Sequence, residues 1–104
     1  MKHYEVLISN KANEDMEAIF KYISENLHAL ENAVKQYDRI ANAILSLEKM
    51  PERIKIMESE PGRSQGLRSL FVDNYTVFYI VKSDMVNIAR VLYSASDINN
   101  RLFE

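Results

Sequence analysis

Between residues 12 and 93 the hydrophobic pattern of this chain changes from a helical period to an extended one. Between residues 12 and 47, apolar residues recur at three- and four-residue spacing, as they do on one face of an amphipathic helix. Between residues 66 and 93, dense runs of β-branched and aromatic residues are separated by short polar turns, which is typical of strands. Because each apolar face must be buried against another element, the pattern predicts an α+β fold.

Local signals in the first half predict one strand and two helices. Residues 4–8 are rich in strand formers and alternate in polarity, so they predict a first strand. Ser9 and Asn10 offer capping oxygens for a helix over residues 12–27. A second periodic segment covers residues 33–47 and ends before Pro51, because proline and the residue before it do not continue a helix. The two helices are expected to form a helical hairpin.

The second half predicts a loop followed by three strands. Residues 50–65 contain both prolines and fit neither period, so they are expected to form a connecting loop. The strands are predicted over 66–72, 75–81 and 85–93, with turns at 73–74 and 82–84, and the tail from residue 94 as a short helix or docked extension. The predicted order is β-α-α-β-β-β: one domain over residues 1–104, in which a helical hairpin packs on one face of an antiparallel sheet. The opposite face is expected to stay open and to carry the function.

Composition excludes several classes of protein. A chain of 104 residues can bury one core, and no apolar stretch approaches the roughly 18 residues of a membrane span. The first residues lack the apolar stretch of a signal peptide, so a cytoplasmic location and no membrane partner are expected. There is no cysteine, and His3 and His28 lack the spacing of metal ligands, so neither a metal nor a cofactor is expected. The net charge of −2 argues against a protein that coats nucleic acid.

Arginines are concentrated in the second half of the chain. Four of the five basic residues after position 60 are arginines, whose planar donors suit phosphates and carboxylates. The predicted target-binding residues combine them with strand tyrosines, which can stack on a base or donate to a phosphate: Arg63, Arg68, Tyr75, Tyr79, Arg90 and Arg101. The alternative is that the arginines are solvated or structural cations and the tyrosines are packing residues.

Two arginines interrupt apolar strand positions and are the candidates for catalysis, together with Tyr93. Arg68 and Arg90 lie on different predicted strands, and Arg90 shares strand parity with its apolar neighbours Val86, Ile88 and Leu92. A guanidinium there needs water, a carboxylate or an anion. Asp97 follows the last strand and is expected to pair with one of the two arginines as a structural anchor. The acidic residues Glu14, Asp15 and Glu17 are expected to be solvated groups at the start of a helix.

Several segments, taken in order, resemble the RelE/ParE family of toxins over nearly the whole chain. They are residues 4–9, Ala12 with 19–23, 44–47 leading to Pro51, 66–68, 74–79, and 90–93 with Asp97 after them. The resemblance implies the toxin of a type II toxin-antitoxin pair, neutralised by a cognate antitoxin that wraps it and covers its working face, with a toxin-antitoxin hetero-oligomer as the expected form.

The resemblance implies one of two targets. RelE-like members cleave messenger RNA on the ribosome with several lysines and arginines on the sheet, one of them directly after the tyrosine that opens the third strand. Here Thr76 follows that tyrosine, Ser69 stands where a lysine would help, and residues 94–100 contain no cation. Related nucleases with a C-terminal histidine match no better, because Tyr93 occupies that place. These differences favour the ParE-like branch, which poisons DNA gyrase without being an enzyme; the alternatives are a ribosome-dependent mRNA endoribonuclease and a degenerate member that only binds its partner.

Overall fold

The structure is a computed structural model that describes residues 2–103. Strand β1 is Glu5–Ile8, helices α1 and α2 are Asn10–Lys21 and Leu30–Leu45, and strands β2, β3 and β4 are Leu67–Val72, Tyr75–Lys82 and Met85–Tyr93. A π-helical turn, Tyr22–Asn26, extends α1, and two single-turn helices, α3 at Gly62–Gln65 and α4 at Ile98–Arg101, flank the three consecutive strands. The predicted α+β fold and its order of main elements are therefore confirmed. Within the described residues, no helix is both long and apolar enough to cross a membrane.

Local sequence signals account for the start of α1 and for the β2–β3 turn, and less well for the segment between α2 and β2. The side-chain oxygen of Ser9 accepts a hydrogen bond from the backbone of Ala12 at 3.0 Å, as predicted for the cap of α1. Asp73, in the β2–β3 turn, adopts a φ of 54°, a left-handed conformation that aspartate and asparagine tolerate better than most residues. The segment predicted as a plain loop is more ordered than expected, because Pro51–Arg53 forms a short 3-10 turn and Ile56 bridges to Arg68.

The four strands form one sheet in the order β1-β4-β3-β2. The last three strands pair antiparallel, as predicted. β1, predicted only as an added strand, pairs parallel with β4, so the predicted antiparallel sheet is corrected to a mixed one. After β1 the chain passes through the helical hairpin to β2 at the opposite edge, and the β2-β3-β4 meander then returns to place β4 beside β1. No local signal specifies this tertiary arrangement.

The main core lies between the sheet and the helical hairpin. It contains buried residues from α1 and α2 and the inward side chains of the strands: Ala12, Met16, Ile40, Ile44, Leu47, Val72, Val77, Tyr79, Val86, Ile88 and Val91. The expectation of an open opposite face is wrong. Leu67, Phe78 and Leu92 form a second core there, which is completed by Leu102 from the C-terminal segment and by Met57. This apolar face is covered because leaving it in water would cost free energy.

A β-bulge in β4 changes which face Arg90 occupies. Tyr79 pairs with Ile88, but its neighbour Phe78 pairs with Arg90, so Ala89 is an extra residue on β4. Val86 and Ile88 therefore pack in the main core, while Arg90 lies on the other face beside Phe78. The predicted shared parity of Arg90 with Val86 and Ile88 is wrong for this reason, whereas its parity with Leu92 holds.

Candidate functional site

A groove of about 870 Å³ opens between α1 with its π-helical turn, the first part of α2, the start of β3 and the end of β4. Tyrosines and cations dominate its polar lining, so we call it the tyrosine groove. Its defining residues are Tyr22, Lys35, Arg39, Tyr75, Tyr93 and Arg101. Apolar residues such as Ile19, Ile23 and Leu27 line the rest. An apolar cavity with a few converging polar groups is the usual form of a binding site.

Two of the tyrosines form a pair across neighbouring strands. Tyr75 and Tyr93 are register partners on β3 and β4, and their rings meet edge to face with centroids 5.8 Å apart. Burial, together with the nearby Tyr93 and Tyr22, raises the pKa of Tyr75. Its hydroxyl therefore stays protonated at neutral pH and remains a hydrogen-bond donor. Tyr93 keeps 48% of its surface exposed, so it can contact a partner in the groove.

The rim of the groove is fixed by a charged contact between α2 and the β2–β3 turn. Both Asp73 carboxylate oxygens accept from Arg39, at 2.7 and 2.9 Å, and one also accepts from Gln36 at 3.1 Å. These hydrogen bonds hold the pKa of Asp73 below its usual range, with the largest contribution from Arg39. The contact joins the turn to the helix that supplies Lys35 and Arg39 to the groove.

Replacing Asp73 with asparagine is expected to lower thermal stability at about pH 7 and to have no effect in acid. Asparagine keeps the left-handed turn but loses the charge that Arg39 binds. Because the pKa of Asp73 is lower in the folded than in the unfolded state, its stabilisation is present above the unfolded value and disappears as the pH falls through the folded value. Melting temperatures of the wild type and of Asp73→Asn, measured from acid to about pH 7, test this prediction. A difference in melting temperature that persists unchanged in acid would contradict it.

Arg90 and Asp15 form a buried ion pair at the edge of β4. Asp15 on α1 accepts from Arg90 Nε at 2.8 Å and Nη2 at 2.9 Å, and from the backbone N–H of Val91 at 3.0 Å. The two side chains are only 8% and 9% exposed, and Arg90 also donates to the carbonyl of Arg101. β1 pairs with β4 only as far as Ile88, so β1 does not cover the edge of β4 after that residue. α1 places the Asp15 carboxylate at this edge, where it accepts from the backbone of Val91.

These contacts correct two sequence predictions. Asp15 is not a solvated helix residue, because its carboxylate is buried against Arg90. Asp97 is not the carboxylate that holds Arg90 or Arg68: it accepts from the side chain of Asn100 at 2.6 Å, within the C-terminal segment. Asp15 and Arg90 are 75 residues apart in sequence, and only their tertiary packing joins them.

Arg68 and Tyr79 anchor the segment around the 3-10 turn Pro51–Arg53. The Arg68 guanidinium donates to the carbonyl of Ile54 and lies 3.7 Å from the carboxylate of Glu52. Tyr79 is wholly buried, and its hydroxyl donates to the carbonyl of Pro51 at 2.7 Å. The prediction that Tyr79 contacts a target is therefore corrected to a packing role, and Arg68 is largely enclosed by the same segment.

Replacing Tyr79 with phenylalanine is expected to lower the free energy of unfolding by about 1–2 kcal/mol, because the Pro51 carbonyl loses a buried donor. Chemical unfolding followed by circular dichroism measures the change. Tyr37→Phe is the matched control, since Tyr37 is an exposed tyrosine on α2 and its change should be near zero. Equal losses for the two variants would count against the assigned role of Tyr79.

The structure brings together only part of the predicted target-binding set. Tyr75 and Arg101 of this set line the tyrosine groove, whereas Arg68, Tyr79 and Arg90 are held inside the fold. Tyr93, predicted as a candidate for catalysis, lines the same groove. Arg63 lies on α3, exposed and 3.3 Å from Glu60. Sequence reasoning missed Tyr22, Lys35 and Arg39 because they lie on helical segments whose polar positions resemble any solvated helix face. Their cationic and aromatic character was visible in the sequence, but their proximity to the strand tyrosines was not.

The fold is similar to that of solved toxin-antitoxin components. A chain from the chromosomal ParDE toxin-antitoxin system of P. aeruginosa matches with a TM-score of 0.71 and 23% identity, covering 86% of this chain and 94% of that one. A chain from the RelBE2 toxin-antitoxin complex of Mycobacterium tuberculosis matches with a TM-score of 0.60 and 23% identity, covering 92% and 97%. No curated protein sequence matches significantly. The family model of the ParE toxin of the type II toxin-antitoxin system parDE matches residues 6–98. The chain therefore belongs to the ParE toxin family of type II toxin-antitoxin systems.

Proposed function

We propose that this toxin inhibits growth by binding DNA gyrase and trapping its cleaved DNA complex, and that it does so without catalysing a reaction itself. The observation that carries this proposal is that Arg68 and Arg90, the two arginines considered for RNA cleavage, are both held inside the fold. A toxin whose candidate catalytic arginines are held inside the fold is expected to act by binding.

RNA cleavage requires a base and cations that converge on one phosphate. Arg68 pairs with Tyr79 in the sheet register and Arg90 with Phe78, and because neighbouring residues of a strand point to opposite faces, the two arginines lie on opposite sides of the sheet. Tyr93 lies in the tyrosine groove, away from Arg68. In this arrangement the three candidates cannot act on the same phosphate, which favours gyrase over messenger RNA as the target.

The tyrosine groove is the proposed surface for protein recognition. Tyrosine and arginine are the residue types that most often dominate binding energy at protein interfaces, and this groove holds both around an apolar floor. The two similar structures come from toxin-antitoxin systems. We infer that the cognate antitoxin covers the same groove in a hetero-oligomer and so prevents target binding, and that the toxin works in the cytoplasm, where gyrase acts.

Expression of the toxin without its antitoxin tests the proposal. Growth arrest should be accompanied by induction of a DNA-damage reporter, and purified toxin should inhibit supercoiling by gyrase. Messenger RNA from the same cells, mapped for cleavage within translated codons, serves as the second readout. Codon-associated cleavage without DNA damage would replace the gyrase proposal with an RNA nuclease, and a lack of growth arrest would indicate a member that only binds its partner.

A further inference from the structure

A row of exposed apolar side chains runs along the outer side of α2. Its members are spaced to lie on one face of the helix, and each keeps between 40% and 61% of its surface exposed: Leu30, Val34, Tyr37 and Leu45. We call this row the outer helix stripe. Leu30, Val34 and Tyr37 follow one another at three- and four-residue spacing, and Leu45 lies about two turns further along the same face. Exposed apolar surfaces of this kind commonly mark interaction sites.

The stripe continues into a cleft between the two helices. Phe20 of α1 meets Tyr37 of α2 edge to face, with ring centroids 6.3 Å apart. The two rings lie in a cleft of about 440 Å³. The stripe and the cleft together offer an apolar track with a recess for a large side chain, which suits an amphipathic helix that presents anchors one turn apart.

The charged residues around this track are mainly acidic. Glu17 and Glu25 line the cleft, and Glu31 and Asp38 are exposed on α2 next to the stripe. Among residues 2–103, none of these four carboxylates is ion-paired, and Lys21 is the cation that lines the cleft with them. The tyrosine groove, by contrast, takes Lys35 and Arg39 from another side of α2. The two surfaces therefore differ in both position and charge.

We propose that the outer helix stripe docks a basic amphipathic helix of a partner protein, at a site separate from the tyrosine groove. Apolar anchors of that helix would cover Leu30, Val34 and Tyr37, and its lysines or arginines would pair with the unpaired carboxylates. A second copy of this chain fits poorly, because a symmetric contact would set Glu31 and Asp38 against carboxylates of the same kind. An anionic lipid surface is disfavoured for the same reason.

A pair of synthetic peptides tests this proposal on the intact toxin. One is a helix of about five turns with leucines at three- and four-residue spacing and lysines beside them; its twin has the same leucines with glutamates in place of the lysines. In fluorescence anisotropy the basic peptide should bind about tenfold or more tightly than the acidic twin, and added salt should weaken it. Equal affinities would overturn the proposal.

Variants of the toxin locate the site. Val34→Asp should abolish binding of the basic peptide, and Glu31→Gln combined with Asp38→Asn should weaken it severalfold without altering the apolar surface. The matched control is Glu58→Gln, which removes an exposed carboxylate from the segment after the 3-10 turn and should leave binding unchanged. If Val34→Asp does not fold, the variant that combines Glu31→Gln with Asp38→Asn still tests the proposal. Peptide binding that none of these changes weakens would overturn the proposal. A toxin dimer in light scattering that Val34→Asp dissociates would also overturn it, since a second copy would then occupy the stripe.

Discussion

Replacing Arg90 with alanine is expected to lower the free energy of unfolding by about 3–5 kcal/mol, because Asp15 would become a buried charge without its partner. The variant also loses the donor to the carbonyl of Arg101, which holds the C-terminal segment against the sheet. Since small domains are stable by only about 5–15 kcal/mol, the loss should bring the protein close to unfolding. Urea unfolding followed by far-UV circular dichroism measures it.

Two further variants separate the buried charge from a general effect of arginine removal. Arg39→Ala breaks an ion pair of similar geometry in an exposed position, so its effect on stability should be much smaller. Combining Arg90→Met with Asp15→Leu removes both buried charges, and this double variant should be more stable than Arg90→Ala. If Arg90→Ala and Arg39→Ala unfold at the same urea concentration, the structural role assigned to the Asp15–Arg90 pair is wrong.

Replacing Tyr93 with alanine is expected to raise the toxin concentration that half-inhibits gyrase supercoiling by about 30-fold or more, as the loss of a central aromatic anchor does at protein interfaces. Tyr93 combines 48% exposure with a fixed orientation against Tyr75, so it offers a large contact surface at low entropic cost. The stability of the fold should fall much less than in Arg90→Ala, because Tyr93 is only half buried and its ring pair with Tyr75 contributes about 0.5–1.5 kcal/mol beyond the buried area.

Phe71→Ala is the matched control for Tyr93→Ala. Phe71 is an aromatic residue with 70% exposure on β2, and it does not line the tyrosine groove. Its removal should leave gyrase inhibition near the wild-type value. Equal losses in the two variants would indicate a nonspecific aromatic effect. Full activity of Tyr93→Ala, with gyrase inhibition intact in the wild type, would mean that the target binds elsewhere on the toxin.

The sequence by itself determined the local elements of this protein. Helical spacing identified α1 and α2, Ser9 marked the start of α1, and the polar pairs between the β runs marked the turns. These signals act over a few residues, because capping, turn conformation and amphipathic period depend on neighbours in the chain. The family resemblance gave the class of toxin, and the match over residues 6–98 confirmed it.

Only the tertiary structure decided how the side chains of the candidate site are arranged. One extra residue at Ala89 moved Arg90 to the other face of β4, and the path of α1 along the strand edge then gave it Asp15 as a partner. The tyrosine groove likewise combines Tyr22 and Arg39 from helical segments with Tyr93 from the last strand. A strand pattern states which residues alternate but not where a bulge interrupts them, and a helical pattern does not state which strand edge the helix will follow. Long-range packing fixes both, which is why the elements were predictable and the site was not.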